Sequence, residues 1–361
     1  MMMLRNWVGW PGVPLAIASA ALFGASTPLA KAMLGEGVSP WLLAGLLYAG
    51  SGIGLALVSI GRRIAGGGDG QPSLGGSDWG WMTLIILAGG VAGPVLLMLG
   101  LASTPASSAA LLLNLEGLAT MAIAWAVFRE NVDRRLMLGA LAILAGALLL
   151  SWQGHAFGGI GAGSLAIAGA CFAWGIDNNL TRKISAADPV QIAMIKGLVA
   201  GAVNLAIAFA AGAQLPATRL LAAGGIIGFF GYGVSLVLFV LALRFLGTAR
   251  TGAYFSAAPF IGALLALAMF GEPVTIRLIV AAMLMGIGLW AHLVERHEHD
   301  HVHDPAEHSH AHVHDAHHAH SHGPDDPAGE PHVHHHRHAP LAHSHPHYPD
   351  LHHRHRHGQS S

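Results

Sequence analysis

Cysteine occurs once in 361 residues, charged side chains make up only 10% of them, and histidine is confined to two positions before residue 297. The lone Cys171 excludes an intrachain disulfide and leaves the redox compartment unread. No GxxxxGK[ST] phosphate loop is present, which removes the usual signature of direct ATP use. Serines and threonines are scattered without a credible neighbouring base, and the two body histidines, His155 and His292, lie at a loop and a helix end. An enzyme is therefore not expected, no cofactor is required, and nothing marks a nucleic-acid partner. The shortage of charge accompanies 53% hydrophobic residues and a mean hydropathy of +0.53, which excludes an ordinary soluble composition.

What charge there is divides unevenly. Up to Arg296 there are fifteen Lys and Arg against ten Asp and Glu; from His297 onward there are three Arg, nine Asp and Glu, and twenty-four of the twenty-six histidines. The near-neutral total is thus a cancellation between an apolar, mildly basic body and an acidic, histidine-rich tail.

A helix needs about 20 mostly apolar residues to cross a bilayer. By that length the body predicts ten spans, near 14–33, 41–61, 80–102, 106–128, 135–152, 162–184, 190–212, 220–243, 250–271 and 276–294. These segments are apolar all round, with no polar face for water, which argues against a soluble helical core. Arg5 before the first apolar run imitates a signal peptide, but the run exceeds the roughly 7–15 residues of a signal core and reads as a retained span.

With the N-terminus inside, the cytoplasmic segments hold Arg5, Arg62, Arg63, Arg129, Arg134, Arg135, Arg182, Lys183, Arg244, Arg250 and Arg296. The outside loops hold only Arg219 and Arg277. That bias predicts a multi-pass membrane protein with both termini, and the tail, in the cytoplasm. Trp7, Trp10, Trp79 and Trp81 flank spans as an interfacial belt.

The body also repeats. ENVDRRL at 130–136 and EPVTIRL at 272–278 share Glu, Val, Arg and Leu at an offset of 142, each opening the last helix of a group of five. LAIASAALFG at 15–24 aligns with LAIAGACFAWG at 165–175. Five crossings invert the second copy, which is the inverted-repeat plan of secondary transporters. The predicted fold is an all-α membrane protein of ten transmembrane helices in two inverted five-helix repeats, 10–152 and 160–295, followed by a disordered histidine-rich tail at 297–361.

With FGASTPLAK at 23–31, AWGIDNNLTRK at 173–183, and the FRE and FGE endings at 128–130 and 270–272, the chain resembles the EamA-type permeases of the drug/metabolite transporter superfamily. The resemblance covers roughly residues 10–295. It implies an inner-membrane carrier, usually an exporter of small metabolites such as amino acids, and does not extend to the tail.

Polar residues within spans are the candidate transport groups. Glu116, almost at the centre of its helix, costs about 2.5–3.5 kcal/mol to place there in ionised form and so is expected to face a cavity or a partner, as a proton carrier or cation ligand. Its aligned position in the second half is Ala258, so the halves are not chemically equivalent. Asn114 lies half a helical turn away. Asp177, Asn178 and Asn179 fan over most of one helix circumference and cannot share one cavity; Trp174 precedes them by three residues. Asp177 and Lys196 fall at similar depths on neighbouring helices, which allows a salt bridge, either a gate pair or packing alone; snorkelling of Lys196 is a further alternative. Lys31 is also placed to snorkel outward and aligns with Arg182.

The tail supplies a second chemistry. Imidazoles at His297, His299, His301, His303, His308, His310, His312, His314, His317, His318, His320, His322, His332, His334, His335, His336 and His338 are candidate ligands for nickel, cobalt, zinc or copper. HxH places alternate side chains on one side of an extended strand, and Asp300, Asp304, Glu307 and Asp315 add attraction for cations. Prolines and scarce apolar residues forbid a core there. A pH-sensitive tail that binds metal only incidentally is the alternative. Three functions follow: an exporter of small metabolites with a metal-binding regulatory or buffering tail, a divalent transition-metal exporter, or a membrane metal sensor or buffer without transport. The partners expected are a small-molecule or metal-ion cargo and the bilayer, with a homodimer admitted.

Overall fold

The computed structural model describes residues 12–65, 74–76, 78–128, 134–152, 160–184, 187–293, 297–303, 307–312, 332–337 and 341–347. The chain separates into two compact units, Met1–Val294 and Glu295–Ser361.

The first unit is helical. α1 (Gly12–Gly35) leads through a short turn to α2 (Pro40–Ile64). Ser39 starts α2 by accepting from the Leu42 amide at 3.3 Å, and Pro40 occupies a position where no amide hydrogen is needed. The third crossing joins α3 (Asp78–Ile85), a π-helical stretch over Ile86–Ala92, and α4 (Gly93–Ser103). The fourth is broken into α5 (Ala106–Leu112) and α6 (Leu115–Phe128), and α7 (Arg134–Ser151) closes the first half.

The second half begins with α8 (Ala162–Thr181), which tightens into a 3₁₀ turn over Arg182–Ile184, and continues with α9 (Pro189–Ala210). α10 (Thr218–Gly228) runs through a π-helical stretch, Phe229–Val234, into α11 (Ser235–Phe255); α12 (Ala258–Phe270) and α13 (Ile276–Leu293) complete the bundle. Among the described residues, seven helical stretches are long and apolar enough to cross a membrane, and Ala258–Phe270 and Ile276–Ala291 are shorter apolar helices. The surface is as apolar as the interior: Leu57, Leu138 and Leu264 are each about two-thirds exposed, while Ala16, Ala20 and Ala30 are fully buried. Large apolar groups thus face lipid and small ones face neighbouring helices, as packing within a bilayer requires.

The irregularities repeat along with the sequence. The π-helical stretches begin at Ile86 and Phe229, and the breaks fall at residues 113–114 and 256–257, each pair offset by 143. At the first break the Asn114 side chain donates to its own backbone, to Leu111 O at 2.8 Å, in competition with the helical ladder. At the second, Pro259 sits in the first turn of α12, where it starts a helix but cannot continue one. The span expected over 106–128 is present, as Ala106–Val127, and is built from two helices. The expected separation between spans 220–243 and 250–271 is corrected, since the chain stays helical from Ser235 to Phe255. LRFLGTARTG, at 243–252, contains no proline and mostly helix-forming residues, so nothing there forces an end.

α2 and α9 form a close pair through glycines. A Cβ added to Gly197 would lie 2.6 Å from Gly52 N and 2.9 Å from Tyr48 O. Gly197→Leu should therefore destabilise the bundle by about 1–3 kcal/mol, through overpacking. Thermal unfolding in detergent measures this, and an unchanged midpoint would show that the two helices separate freely. Between α1 and α11, Ser19 Oγ donates to Ser235 O at 2.7 Å and Ser235 Oγ returns a bond to Ser19 O at 2.9 Å. Each such interhelical bond is worth about 0.6 kcal/mol in a bilayer.

In the second unit, β1 (His297–His303) pairs antiparallel with β4 (Leu341–His347), and β2 (Glu307–His312) with β3 (His332–Arg337). The register sets His297, His299 and His301 opposite His347, His345 and His343. The sequence predicts disorder for this tail. Over these four segments the backbone is extended and paired two by two, a form that the period-two alternation of histidine suits, and a lone strand pair is marginal in water.

Candidate functional site

The site is organised around the π-helical stretch of the third crossing. Pro94 follows it and has no N–H to return to Gly89 or Gly90. Those carbonyls accept from side chains of three other helices. Tyr48 Oη of α2 donates to Gly89 O at 2.7 Å, Trp174 Nε1 of α8 donates to the same oxygen at 3.0 Å, and Asn204 Nδ2 of α9 donates to Gly90 O at 2.9 Å. All three donors are buried. Backbone freed by a local π adjustment within a membrane must find partners, and these donors supply them.

Beside this lock lies an ion pair. Lys196 Nζ of α9 is bonded to Asp177 Oδ2 of α8, and Thr181 Oγ1 donates to Asp177 Oδ1 at 3.2 Å. The Asp177 carboxylate occupies the space a side chain at Gly89 would need, so that position must be glycine for the pair to sit against the bulge. Asn178 points the other way. Its Nδ2 donates to Glu116 Oε1 at 3.0 Å and to Thr120 Oγ1 at 3.2 Å, which joins α8 to α6. Asn179 donates to Thr120 O at 3.0 Å and to Gly175 O at 2.8 Å, while its buried Oδ1 has no protein partner. Asp177 is thus turned to α9 while Asn178 and Asn179 both reach Thr120 of α6, so the three do not share one cavity. Glu116 is partly buried just beyond the break in the fourth crossing, where α6 begins.

Around the second π-helical stretch lie aromatic groups from both halves. Tyr232, inside the matching π-helical stretch, packs on Phe23 with ring centroids 5.9 Å apart and on Tyr48 at 5.5 Å. Phe255, just before the second break, lies 5.4 Å from Phe23 and 4.8 Å from Phe239. Tyr48 joins the two environments: its hydroxyl holds the first bulge while its ring stacks against the second.

Glu116 and Asn178 are therefore brought together between α6 and α8, and Asp177, Lys196 and Trp174 beside the π-helical stretch. Asn114 is not; its amide is turned to Leu111 O and toward Met285 Sδ of α13, at 3.9 Å. Lys31 does not snorkel outward. It donates to Leu101 O and, at 3.0 Å, to Thr104 O, filling the open carbonyls at the end of α4. Tyr48, Thr120 and Asn204 escaped the reading of the sequence, although a lone Asn inside an apolar run is a usable signal. Of the tail candidates, His314, His317, His318, His320, His322 and His338 lie outside the described residues, as does Glu130. Among the described residues no group of three His, Cys, Asp or Glu is placed to hold a metal ion.

Comparison with known proteins agrees with this architecture. An uncharacterized transporter of Methanothermobacter thermautotrophicus is 28% identical over 289 residues, covering 76% of this chain and 83% of its own. A solved crystal structure superposes with a TM-score of 0.57 at 20% identity, covering 78% of this chain and 94% of its own, a likeness of fold. The EamA-like transporter family matches twice, over residues 10–152 and 161–293. Two matched copies, repeated π-helical stretches and repeated helix breaks place the chain in that family: it is a multi-pass membrane protein of the EamA-like transporter family.

Proposed function

We propose that the chain is a secondary transporter that exports small organic metabolites, amino-acid-like or drug-like, from the cytoplasm across the inner membrane. One observation supports this more than any other. Tyr48 connects a region of carboxylate, ammonium and amide groups beside the first π-helical stretch with an aromatic cluster around the second, both built from residues of the two halves. A cargo with an amine or zwitterionic end and an apolar end matches both faces, and a site built between inverted halves is where such carriers hold substrate. Glu116 is the group proposed to meet the cationic end or to carry a coupling proton. Both termini are assigned to the cytoplasm on the bias of Lys and Arg toward one set of loops. The histidine tail is proposed to bind nickel, cobalt, zinc or copper as a regulatory or buffering arm.

The test loads cells with a panel of isotopically labelled amino acids and amine-bearing drugs and follows efflux, alongside cellular nickel, cobalt, zinc and copper under metal load. It compares the full chain, a chain stopped after Arg296, and Glu116→Gln. Faster efflux of an organic compound with the full and the stopped chains, lost in Glu116→Gln, is the expected result. Truncation should lower retained metal without changing organic efflux. If metal content alone falls with the full chain and Glu116→Gln restores it, the chain is a metal exporter and the metabolite assignment is wrong.

A further inference from the structure

The two π-helical stretches close by the same backbone bond. Gly93 N donates to Ala88 O, and 142 residues on Ser235 N donates to Phe230 O. At that offset Gly231 stands for Gly89 and Leu236 for Pro94. In the first stretch the bond leaves Gly89 O open, residue 94 has no N–H to fill it, and Tyr48 Oη and Trp174 Nε1 occupy it. Were this stretch to become α-helical, Gly93 N would return to Gly89 O and displace both buried donors. Side chains therefore hold the first stretch in its π form. In the second, Leu236 has the amide that Pro94 lacks, to serve Gly231 O in the π form or Tyr232 O in the α form. Either form satisfies its own backbone.

The surroundings differ in the same sense. FGASTPLAK at 23–31 repeats as WGIDNNLTR at 174–182, an offset of 151, and α9 repeats α2 at an offset of 149, with Pro40 and Pro189 opening the two helices. Phe23 then stands for Trp174, Leu55 for Asn204, Gly197 for Tyr48 and Leu47 for Lys196. The correspondence holds in space. Asp177 fills the place of a side chain at Gly89, and a Cβ added to Gly231 would lie 2.7 Å from that of Ser26, the counterpart of Asp177. Phe23, Leu55 and Gly197 carry no side-chain donor, so the polar fastening of the first stretch has no equivalent at the second. Tyr232 instead lays its ring on Phe23 and Tyr48.

We infer that Phe229–Val234 is an adjustable, specificity-determining wall of the cargo site, set against a fixed wall at Ile86–Ala92. This rests on the transport function proposed above. Upstream of the second stretch α10 ends in GGIIG at 224–228, and a Cβ added to Gly225 would meet nothing within 4 Å. Glycine backbone leaves α geometry at little cost. As the extra residue of the π stretch moves into it, each residue passed turns by about 100° and advances by about 1.5 Å. That carries Tyr232 off Tyr48 and Phe23 and makes room for a larger apolar group. The polar end of a cargo is read by groups that stay in place, and its apolar end by rings that adapt.

Hydrogen exchange on the full chain in lipid nanodiscs, with efflux of labelled alanine, leucine, phenylalanine and tryptophan from preloaded cells, tests this. Amides of residues 229–235 should exchange about tenfold faster than those of 86–93. Tyr48→Phe combined with Trp174→Phe should remove the difference, because two hydrogen bonds amount to about tenfold. Gly225→Ala should slow exchange over 229–235 about fivefold through the helix preference of alanine. It should lower tryptophan efflux relative to alanine efflux by about the same factor. Gly80→Ala, where an added Cβ also meets nothing within 4 Å, should change neither. Equal exchange in the two stretches, or exchange unmoved by Gly225→Ala, overturns the adjustable wall. Slowed exchange with an unchanged tryptophan-to-alanine ratio overturns its part in specificity. If the parent chain moves neither these amino acids nor the amine-bearing drugs, the transport function itself falls, whatever the exchange contrast, so the two failures are distinct.

Discussion

Glu116→Gln should insert as well as the parent chain and lose at least about nine-tenths of its transport. An ionised carboxylate at this depth costs about 2.5–3.5 kcal/mol, so its replacement by an amide of the same shape should not harm insertion or stability. The amide still accepts from Asn178 Nδ2 and still fits beside Thr120, so the contact between α6 and α8 survives. What disappears is the charge that meets a cation or exchanges a proton. Efflux from preloaded cells, normalised to membrane-inserted protein, measures the loss. Full activity in Glu116→Gln would remove this residue from the mechanism and leave it a packing group between two helices.

Lys196→Met should be the most destabilising single change in the body. Asp177 is buried, with 6% of its side chain exposed, and Lys196 is its only cationic partner among the described contacts. Removing one member of a buried pair typically costs about 3–5 kcal/mol, because the remaining charge is left uncompensated. Asp177→Asn combined with Lys196→Met should recover most of that stability, since an amide can still accept from Thr181 Oγ1. Thermal unfolding of the two single variants and the double variant measures the coupling. The same set separates the two roles open to the pair. If the double variant is stable and transports, the pair is packing; if it is stable and inactive, the pair works during the cycle. A Lys196→Met variant as stable as its parent would contradict the burial argument.

The lock around Gly89 and Gly90 explains why these charges can be held so firmly. Pro94 withdraws an amide hydrogen, and three donors from α2, α8 and α9 replace it. The third crossing is thereby tied to α2, α8 and α9 at one level. The matching stretch in the eighth crossing has no proline at the equivalent place, where Leu236 stands, and packs with aromatic rings. The first π-helical stretch is therefore fastened by polar donors, while the second is packed among aromatic rings.

Much of this was readable before any coordinates. A hydropathy pattern with a period near one bilayer crossing is set locally, because each helix must satisfy its own backbone in lipid. So the apolar helices, the two copies and their resemblance to EamA-type permeases were legible from residue order, as was the depth match of Asp177 with Lys196. The break at Asn114 was not, since in lipid a single polar residue is tolerated within a continuous helix and only local competition for Leu111 O decides otherwise. The run through 243–249 misled for the opposite reason: polarity signalled a loop, but no residue there stops a helix. What tertiary structure alone decided is which groups answer one another. Tyr48, Trp174 and Asn204 come from helices far apart in the chain and converge on carbonyls whose need arises from Pro94, and Glu272 reaches 165 and 166 residues back to Ser107 and Ala106. Such pairings depend on how helices cross, which is fixed by small-residue contacts such as Gly52 with Gly197 and not by the hydropathy of either helix. Sequence by itself determined the membrane, the repeat and the residue types available; packing chose their partners, because a buried polar group in lipid must find one and its own helix seldom offers it.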